Sequence, residues 1–253
     1  MRSHRIVFFV LFGLAITPAA ASVALAQVPQ APVSAVPQIY TIKGEYTRIA
    51  YNNEGWVTLG YRTANGSQGK DWMVLNAGIT LQNGVPNQTM TRAQFRVKMP
   101  DGSFLPMASQ EEFQNAGYLR GLVNRDKTVR DSINYFPNPG AQGAPMLFFT
   151  DPADQTGALA FDKFEASWQR GYVGRLFFKF PEGQKIEPGQ YWLSVKFANS
   201  TVEAPFRIMT KDEEKFLRKN WKDLKKEHEA YLKSQAENCL LYTLTLPTTC
   251  RVC

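Results

Sequence analysis

The sequence predicts a mostly β protein, a β-sandwich that carries a short helical insert and ends in an amphipathic α-helix. Apolar and polar residues alternate with a period of two along much of residues 39–209, which is typical of strands with one buried face. Turn-forming groups such as Pro100–Gly102 and Glu187–Gly189 separate the alternating runs. After Thr210 the apolar spacing changes to steps of four and three residues, which is typical of a helix. Many short strands divided by turns favour two packed sheets.

Seven runs of the chain are predicted strands. They are Trp56–Thr63, Trp72–Gln82, Phe95–Met99, Ser103–Met107, Arg175–Phe180, Tyr191–Phe197 and Thr201–Ile208. The second run shows the pattern most fully, because every other residue from Met73 to Leu81 is apolar and would face the core. Pro205, in the last run, has no backbone N–H to donate, so it predicts a position at the edge of a sheet.

Two segments are predicted helices. Ser109–Gly117 begins with a serine N-cap and ends at a glycine, and the Arg120–Asn138 stretch that follows is polar and basic with no element predicted in it. Thr210–Glu213 is a capping box, and the helix that it opens is predicted to end at residue 236. The apolar stripe of this helix comprises Leu217, Trp221, Leu224, His228 and Tyr231.

The start of the chain differs in composition from this body. Residues 1–26 combine basic residues, the apolar run Ile6–Ile16 and the small-residue site Ala24–Ala26, so they are predicted to be a secretory signal peptide. An uncleaved anchor is the alternative interpretation, since residues 6–26 carry no charge. No cysteine follows the apolar run, so we do not expect a lipoprotein. Residues 27–38 are predicted to be a Pro-rich linker.

Residues 239–253 form a tail whose Leu, Thr and Pro content breaks with the Lys- and Glu-rich helix before it. The tail resembles the translation of a common sequencing adapter, so we expect it to be foreign to the natural protein. It holds the three cysteines of the chain, Cys239, Cys250 and Cys253. A redox pair at the last two is the alternative interpretation, but a C-x-x-C has that role near a strand–helix unit, and the tail sequence does not predict one.

Few residues of the body suit catalysis or metal binding. Without the two ends the chain contains no cysteine and a single histidine, His228, so the usual metal sites and nucleophile–base pairs lack their commonest residues. We therefore expect no catalytic residue, no metal ligand and no cofactor. Removing Arg2, Arg5 and Arg251 with the ends lowers the net charge from +7 to +4, which is too small to predict nucleic-acid binding.

Four aromatic residues are predicted to lie on the outward faces of their strands: Trp56, Trp72, Phe177 and Trp192. Outward aromatic rings can stack on sugars, which would make the set a glycan-binding face. They can also be the floor on which the C-terminal helix packs with Leu217, Trp221 and Leu224. The second interpretation is preferred, because one contact then accounts for both apolar surfaces.

The order of the parts adds a family resemblance. Trp72–Asn83, the turn-linked Phe95–Pro106, a helical insert, Gly174–Pro181 and Gln190–Phe197 follow one another along the chain. This order resembles the telokin-like, immunoglobulin-type sandwiches of exported bacterial proteins of unknown function. The resemblance covers Tyr46–Ile208 and implies an immunoglobulin-like β-sandwich outside the cytoplasm without catalytic machinery. It implies no functional residues that transfer to this chain.

The sequence therefore predicts an exported, non-enzymatic interaction or structural module of the periplasm or cell surface. Its partner would be another envelope protein, an acidic envelope surface or a glycan. The predicted basic contact surface lies on the C-terminal helix: Lys215, Arg218, Lys219, Lys222, Lys225 and Lys226. Two alternatives stay open. One is a carbohydrate-binding module that uses the outward aromatics, and the other is a hydrolase that uses carboxylates on Asp126–Asp131 or Asp151–Asp162.

Overall fold

The computed structural model of the chain describes residues 38–141, 143–150 and 159–245, with side chains as far as Ser234. The signal peptide predicted at 1–26 and all but the last residue of the linker predicted at 27–38 lie outside these residues. The described chain is mostly β and ends in a long helix, as the sequence predicts. None of its described helices is both long and apolar enough to cross a membrane.

The described strands form two main sheets and one small one. Their bounds are β1 Ile39–Gly44, β2 Thr47–Tyr51, β3 Gly55–Gly60, β4 Trp72–Leu81, β5 Gln88–Thr91, β6 Phe95–Lys98, β7 Phe104–Pro106, β8 Gly143–Pro145, β9 Lys163–Ala166, β10 Gly171–Lys179, β11 Gly189–Lys196 and β12 Thr201–Ile208. The larger sheet has the order β1-β2-β3-β4-β10-β8, the smaller has the order β12-β11-β6-β7, and β5 pairs with β9. All pairs are antiparallel except β10 with β8. The edge position predicted from Pro205 is confirmed, because β12 ends the four-stranded sheet.

Four α-helices complete the described chain. They are α1 Arg62–Asn65, α2 Gln110–Asn115, α3 Leu119–Val129 and α4 Lys211–Thr245. The N-cap predicted at Ser109 is confirmed, since its Oγ accepts from the Glu112 backbone N–H at 3.1 Å and the Glu112 carboxylate accepts from the Ser109 N–H at 2.8 Å. The capping box at Thr210 is confirmed by the same two bonds with Glu213, at 3.3 and 2.9 Å.

Three features of the helices differ from the sequence prediction. Helix α1 begins at Arg62, inside the strand predicted over Trp56–Thr63, and β3 ends before it at Gly60. Helix α3 lies where no element was predicted, because Arg120–Asn138 has few apolar residues. Helix α4 extends to Thr245 rather than ending at 236, since neither glycine nor proline interrupts the chain before Pro247. Residues 239–245 of the predicted foreign tail therefore continue α4, and residues 246–253 lie outside the described chain.

The six-stranded and four-stranded sheets pack face to face around one apolar core. The ring of Phe206 in β12 lies 5.5 Å from that of Tyr61, which directly follows β3. Gly55 at the start of β3 leaves room for Phe197, whose ring would overlap any side chain placed there. β4 lies at the centre of this arrangement, and all ten of its residues are buried.

The chain between β7 and β9 is a long insert, described over residues 107–141, 143–150 and 159–162. Its strand β8 joins the edge of the six-stranded sheet, and its other described parts cover the second face of that sheet. The Tyr135 carbonyl accepts hydrogen bonds from Trp56 Nε1 at 2.7 Å and from Thr58 Oγ1 at 3.1 Å. Gly78 of β4 permits this approach, because a Cβ atom there would lie 2.9 Å from the carbonyl oxygen of Ile133. The insert therefore adds a third layer, and both faces of the central strand are covered.

Helix α4 docks against the open edge of the six-stranded sheet, which is formed by β1. His228 Nε2 accepts the Ile42 backbone N–H at 3.3 Å, and Glu214 accepts the Tyr46 hydroxyl at 2.5 Å. Leu217 packs against the core. The helix thus provides a partner for a backbone amide that an exposed edge strand would leave unpaired.

Candidate functional site

The predicted aromatic face is only partly correct. The strand register places Trp56, Trp72 and Phe177 on one face of the six-stranded sheet, as the alternation indicated. The insert covers that face, so Trp72 is 1 % exposed and Phe177 is 3 % exposed. The Phe177 ring lies 4.7 Å from Phe113 of α2 and 5.1 Å from Phe149. The outward position predicted for these two residues does not leave them open to a ligand, and the layer that covers them is the insert rather than α4.

The remaining two aromatic residues lie far apart in the fold. Trp56 is half-buried and stacks on Tyr51 with a ring separation of 4.5 Å. Trp192 belongs to the four-stranded sheet, where the Lys98 ammonium lies 5.2 Å from its ring. The four aromatics therefore do not form a single binding surface.

A fully buried carboxylate connects the insert to the six-stranded sheet. Asp126 of α3 accepts hydrogen bonds from Thr63 Oγ1 at 2.6 Å, from Asn76 Nδ2 at 2.7 Å and from Arg175 Nε at 2.6 Å. These partners come from α1, β4 and β10. The buried charge is paired and hydrogen-bonded, which is the condition under which proteins tolerate one.

Sequence reasoning missed this cluster, although a signal for it exists. Leu119, Leu122, Val123 and Asp126 are spaced i, i+3, i+4 and i+7, which is the apolar stripe of a helix with an aspartate at its last position. An acidic residue at a core position predicts a buried partner of opposite charge. Its identity as Arg175 follows only from the pairing of β4 with β10.

A cavity of about 660 Å³ opens beside the Asp126 cluster, between the insert and the six-stranded sheet. Its polar lining includes Asn76, Arg130 and Arg175, and its apolar lining includes Met146, Phe149 and Phe177. The side chain of Arg175 is 18 % exposed, and its Nε already serves Asp126. Its two terminal nitrogens and the whole exposed guanidinium of Arg130 have no bonding partner among the described residues.

The acidic side chains near this cavity are neutralised by arginines. Asp131 lines the cavity and accepts three hydrogen bonds from Arg62, two from Nε at 3.0 and 3.2 Å and one from Nη2 at 2.9 Å. Asp126 is paired with Arg175. A general base needs a carboxylate with a lone pair available to the substrate, and these pairs do not favour that role. In the other predicted acidic loop, Asp162 pairs with Arg92 at 2.5 Å, and residues 151–158 lie outside the described chain.

The predicted basic surface lies on the side of α4 that faces solvent. Four of its lysines follow one another by four, three and four residues, so they share one helical face, and all four are exposed: Lys215, Lys219, Lys222 and Lys226. The other two cations are paired within the helix, Arg218 with Glu214 at 2.8 Å and Lys225 with Glu229 at 3.8 Å. We call the four unpaired lysines the lysine face.

The described residues contain no group of three His, Cys, Asp or Glu side chains arranged to hold a metal ion. No protein-family model, curated protein or solved structure matches the chain. The function must therefore be inferred from the surfaces and the cavity of this chain.

Proposed function

We propose that the protein is an exported, non-enzymatic interaction module of the periplasm or cell surface, and that its lysine face binds an anionic envelope surface. The signal-peptide pattern of residues 1–26 supports export. The face-to-face sheets are compatible with an immunoglobulin-like sandwich. The arginine pairing of Asp126 and Asp131 favours binding over hydrolysis.

The observation that carries the proposal is the division of α4 into two opposite sides. Lys226 follows Leu217 by nine residues, about two and a half turns of helix, so the docked side and the lysine face point in opposite directions. The packing of Leu217 against the core and the bond of His228 to β1 therefore orient the lysines away from the body. Near an anionic lipid surface each lysine contributes about 1 kcal/mol, so four on one face give useful affinity without insertion into the membrane.

Vesicle binding of the full chain tests this proposal. A variant with Lys215, Lys219, Lys222 and Lys226 changed to Gln should lose most of its binding to vesicles that contain phosphatidylglycerol. A control variant loses the same charge elsewhere, at four exposed lysines of the β domain: Lys163, Lys179, Lys185 and Lys196. The control should bind as the parent does, and added salt should weaken the parent. Equal losses in both variants would contradict a specific role for α4.

Glycan binding is the second candidate, because one aromatic patch stays accessible. On the outer face of the four-stranded sheet, Lys98 pairs in register with both Trp192 and Phe104, so the three lie in one row. Phe104 is 44 % exposed. Aromatic rings in such a row can stack on sugar rings. A glycan array probed with the parent and with Trp192→Ala tests this candidate. The parent should bind at least one glycan, and Trp192→Ala should not bind it.

A further inference from the structure

We propose that the cavity between the insert and the six-stranded sheet is a binding site for a small amphipathic monocarboxylate, a molecule with one carboxylate and an apolar body. This site is separate from the lysine face, and neither proposal depends on the other. It follows from the way Arg175 is held, the charge balance of the lining and the apolar wall.

Arg175 is held in place before any ligand arrives. Its Nε lies 2.6 Å from Asp126, which is itself fixed by Thr63 and Asn76 and is completely buried. The guanidinium therefore has little freedom to lose when a ligand binds, and no described residue accepts a hydrogen bond from its terminal nitrogens. A planar guanidinium with donors available binds carboxylates well, because its geometry matches the two carboxylate oxygens.

The charges around the cavity favour a single negative charge on the ligand. The Asp126–Arg175 and Asp131–Arg62 pairs are each neutral, and Glu45, 3.8 Å from Arg62, lies outside the lining; among the described lining residues Arg130 is the cation that has no carboxylate partner. A monoanion would neutralise that charge while it meets the donors of Arg175. A cationic ligand would be repelled, and a dianion would leave one charge unmatched in a partly enclosed site.

The rest of the lining suits an apolar body. Leu147, which is 39 % exposed, and the half-buried Ile133 lie on the insert side, and the half-buried Val173 of β10 lies on the sheet side. The volume of about 660 Å³ lies within the range of cavities that hold drug-sized ligands. A molecule with its carboxylate at the arginines could thus place its apolar part against these three side chains and remove it from water.

Calorimetric titration of the full chain with probes built on one straight ten-carbon chain tests the site. Decanoate, decanol and decyltrimethylammonium share the apolar chain and differ in charge. Decanoate should bind at least about tenfold more tightly than decanol, as expected for a hydrogen-bonded charge, and the cation should bind more weakly than decanol. Equal affinity for decanoate and decanol, or no binding of decanoate, would overturn the proposal.

Substitutions locate the binding. Arg130→Gln should weaken decanoate binding by about threefold, because this arginine is exposed, whereas Arg120→Gln, an exposed arginine on α3 outside the lining, should have no effect. The double substitution Asp126→Asn with Arg175→Gln removes the buried pair together and should abolish the preference of decanoate over decanol. Circular dichroism reports whether that double variant is folded.

A variant that blocks the cavity keeps the test decisive if the double variant fails to fold. Ser132 is exposed and lines the cavity, so Ser132→Trp should reduce decanoate binding without disturbing the core. Undiminished binding in Ser132→Trp would overturn the site. The variant lacking the lysine face provides the last check: it should bind decanoate as the parent does, and a loss there would place the anion on α4 instead.

Discussion

At the scale of single residues, the buried carboxylates connect parts of the chain that are distant in sequence. Glu54, in the turn between β2 and β3, is 6 % exposed. It accepts hydrogen bonds from Ser200 Oγ at 2.5 Å, from Gln88 Nε2 at 2.8 Å and from the Asn199 backbone N–H at 3.1 Å. It thereby joins the turn of one sheet to the turn between β11 and β12 of the other.

This carboxylate should make stability sensitive to acid. Burial raises the pKa of Glu54, but the hydrogen bonds from Ser200, Gln88 and Asn199 outweigh that effect and hold the pKa below its ordinary value of 4.5. The resulting stabilisation is complete above 4.5 and is lost as the pH falls through the lowered pKa. Urea unfolding should therefore show that Glu54→Gln is less stable than the parent at neutral pH and that the gap narrows in acid. Glu182→Gln, at an exposed carboxylate, should have the stability of the parent at both pH values. A stability difference between Glu54→Gln and the parent that stays constant with pH would contradict this role of Glu54.

Asp126 should matter more to stability than its neighbour Asp131. Asp126→Ala leaves Arg175, Thr63 and Asn76 without their buried partner, so the free energy of unfolding should fall by about 3 kcal/mol or more. Asp131→Ala breaks a pair whose side chains are 30 % and 26 % exposed, and its cost should be about 1 kcal/mol. Urea denaturation of both variants measures the difference. Similar losses of unfolding free energy in the two variants would show that the Asp126 cluster stabilises the fold no more than the Asp131–Arg62 pair does.

At the scale of elements, α4 protects the edge of a sheet as well as presenting cations. Its docked residues lie in the first half of the helix, between Glu214 and His228, and they meet β1 and the turn that follows it. Beyond Ser234 the backbone stays helical to Thr245. The docked side of α4, which stabilises the fold, and the lysine face, which we propose binds the envelope, thus lie on opposite sides of the same helical turns.

Truncation should separate the docked half of α4 from the rest. A chain that ends at Met209 loses Leu217 and the partners of Tyr46 and Ile42, so its Tm should fall and its exposed β1 edge should promote association. A chain that ends at Ser234 keeps every described contact of the helix and should melt as the parent does. Differential scanning calorimetry gives Tm, and light scattering gives the association state. An unchanged Tm after truncation at Met209 would refute docking.

Helix docking should also respond to pH through His228. Burial, and then the positive charge of Arg48, lower the pKa of His228, whereas Glu229 opposes the shift. The neutral ring accepts the Ile42 N–H, so its contribution is present above 6.5 and is lost as the pH falls through the lowered pKa. The fluorescence of Trp221, about two helical turns before His228, should therefore change in mildly acidic solution. His228→Gln, which keeps an acceptor at every pH, should abolish that change; a variant with the parent's response would exclude this histidine.

At the scale of the whole molecule, three layers enclose the central strands. The four-stranded sheet covers one face of β4, the insert covers the other, and β3 and β10 pair with its two edges. Amide groups in such a position exchange with solvent only when the molecule unfolds extensively.

The rate of amide hydrogen exchange should therefore be lowest in the elements that are covered on both faces. Amides of β4 should exchange most slowly, those of β1 faster, and those of α4 beyond His228 fastest. Mass spectrometry of exchanged peptides measures this order. Exchange of β4 as fast as that of β1 would contradict the third layer formed by the insert.

The sequence by itself determined the elements that have a clear local signal, but not α1, α3 or the five described strands outside the seven predicted runs. The alternation from Met73 to Leu81 places a strand, and the Thr210–Glu213 box begins α4, since each depends on residues a few positions apart. Only the tertiary structure decided which segment covers each face of the six-stranded sheet. Trp72 and Phe177 follow the predicted alternation, yet they are buried because an insert from elsewhere in the chain lies over them. The Asp126–Arg175 pair and the cavity beside it arise in the same way, because they depend on contacts between distant segments that no local pattern records.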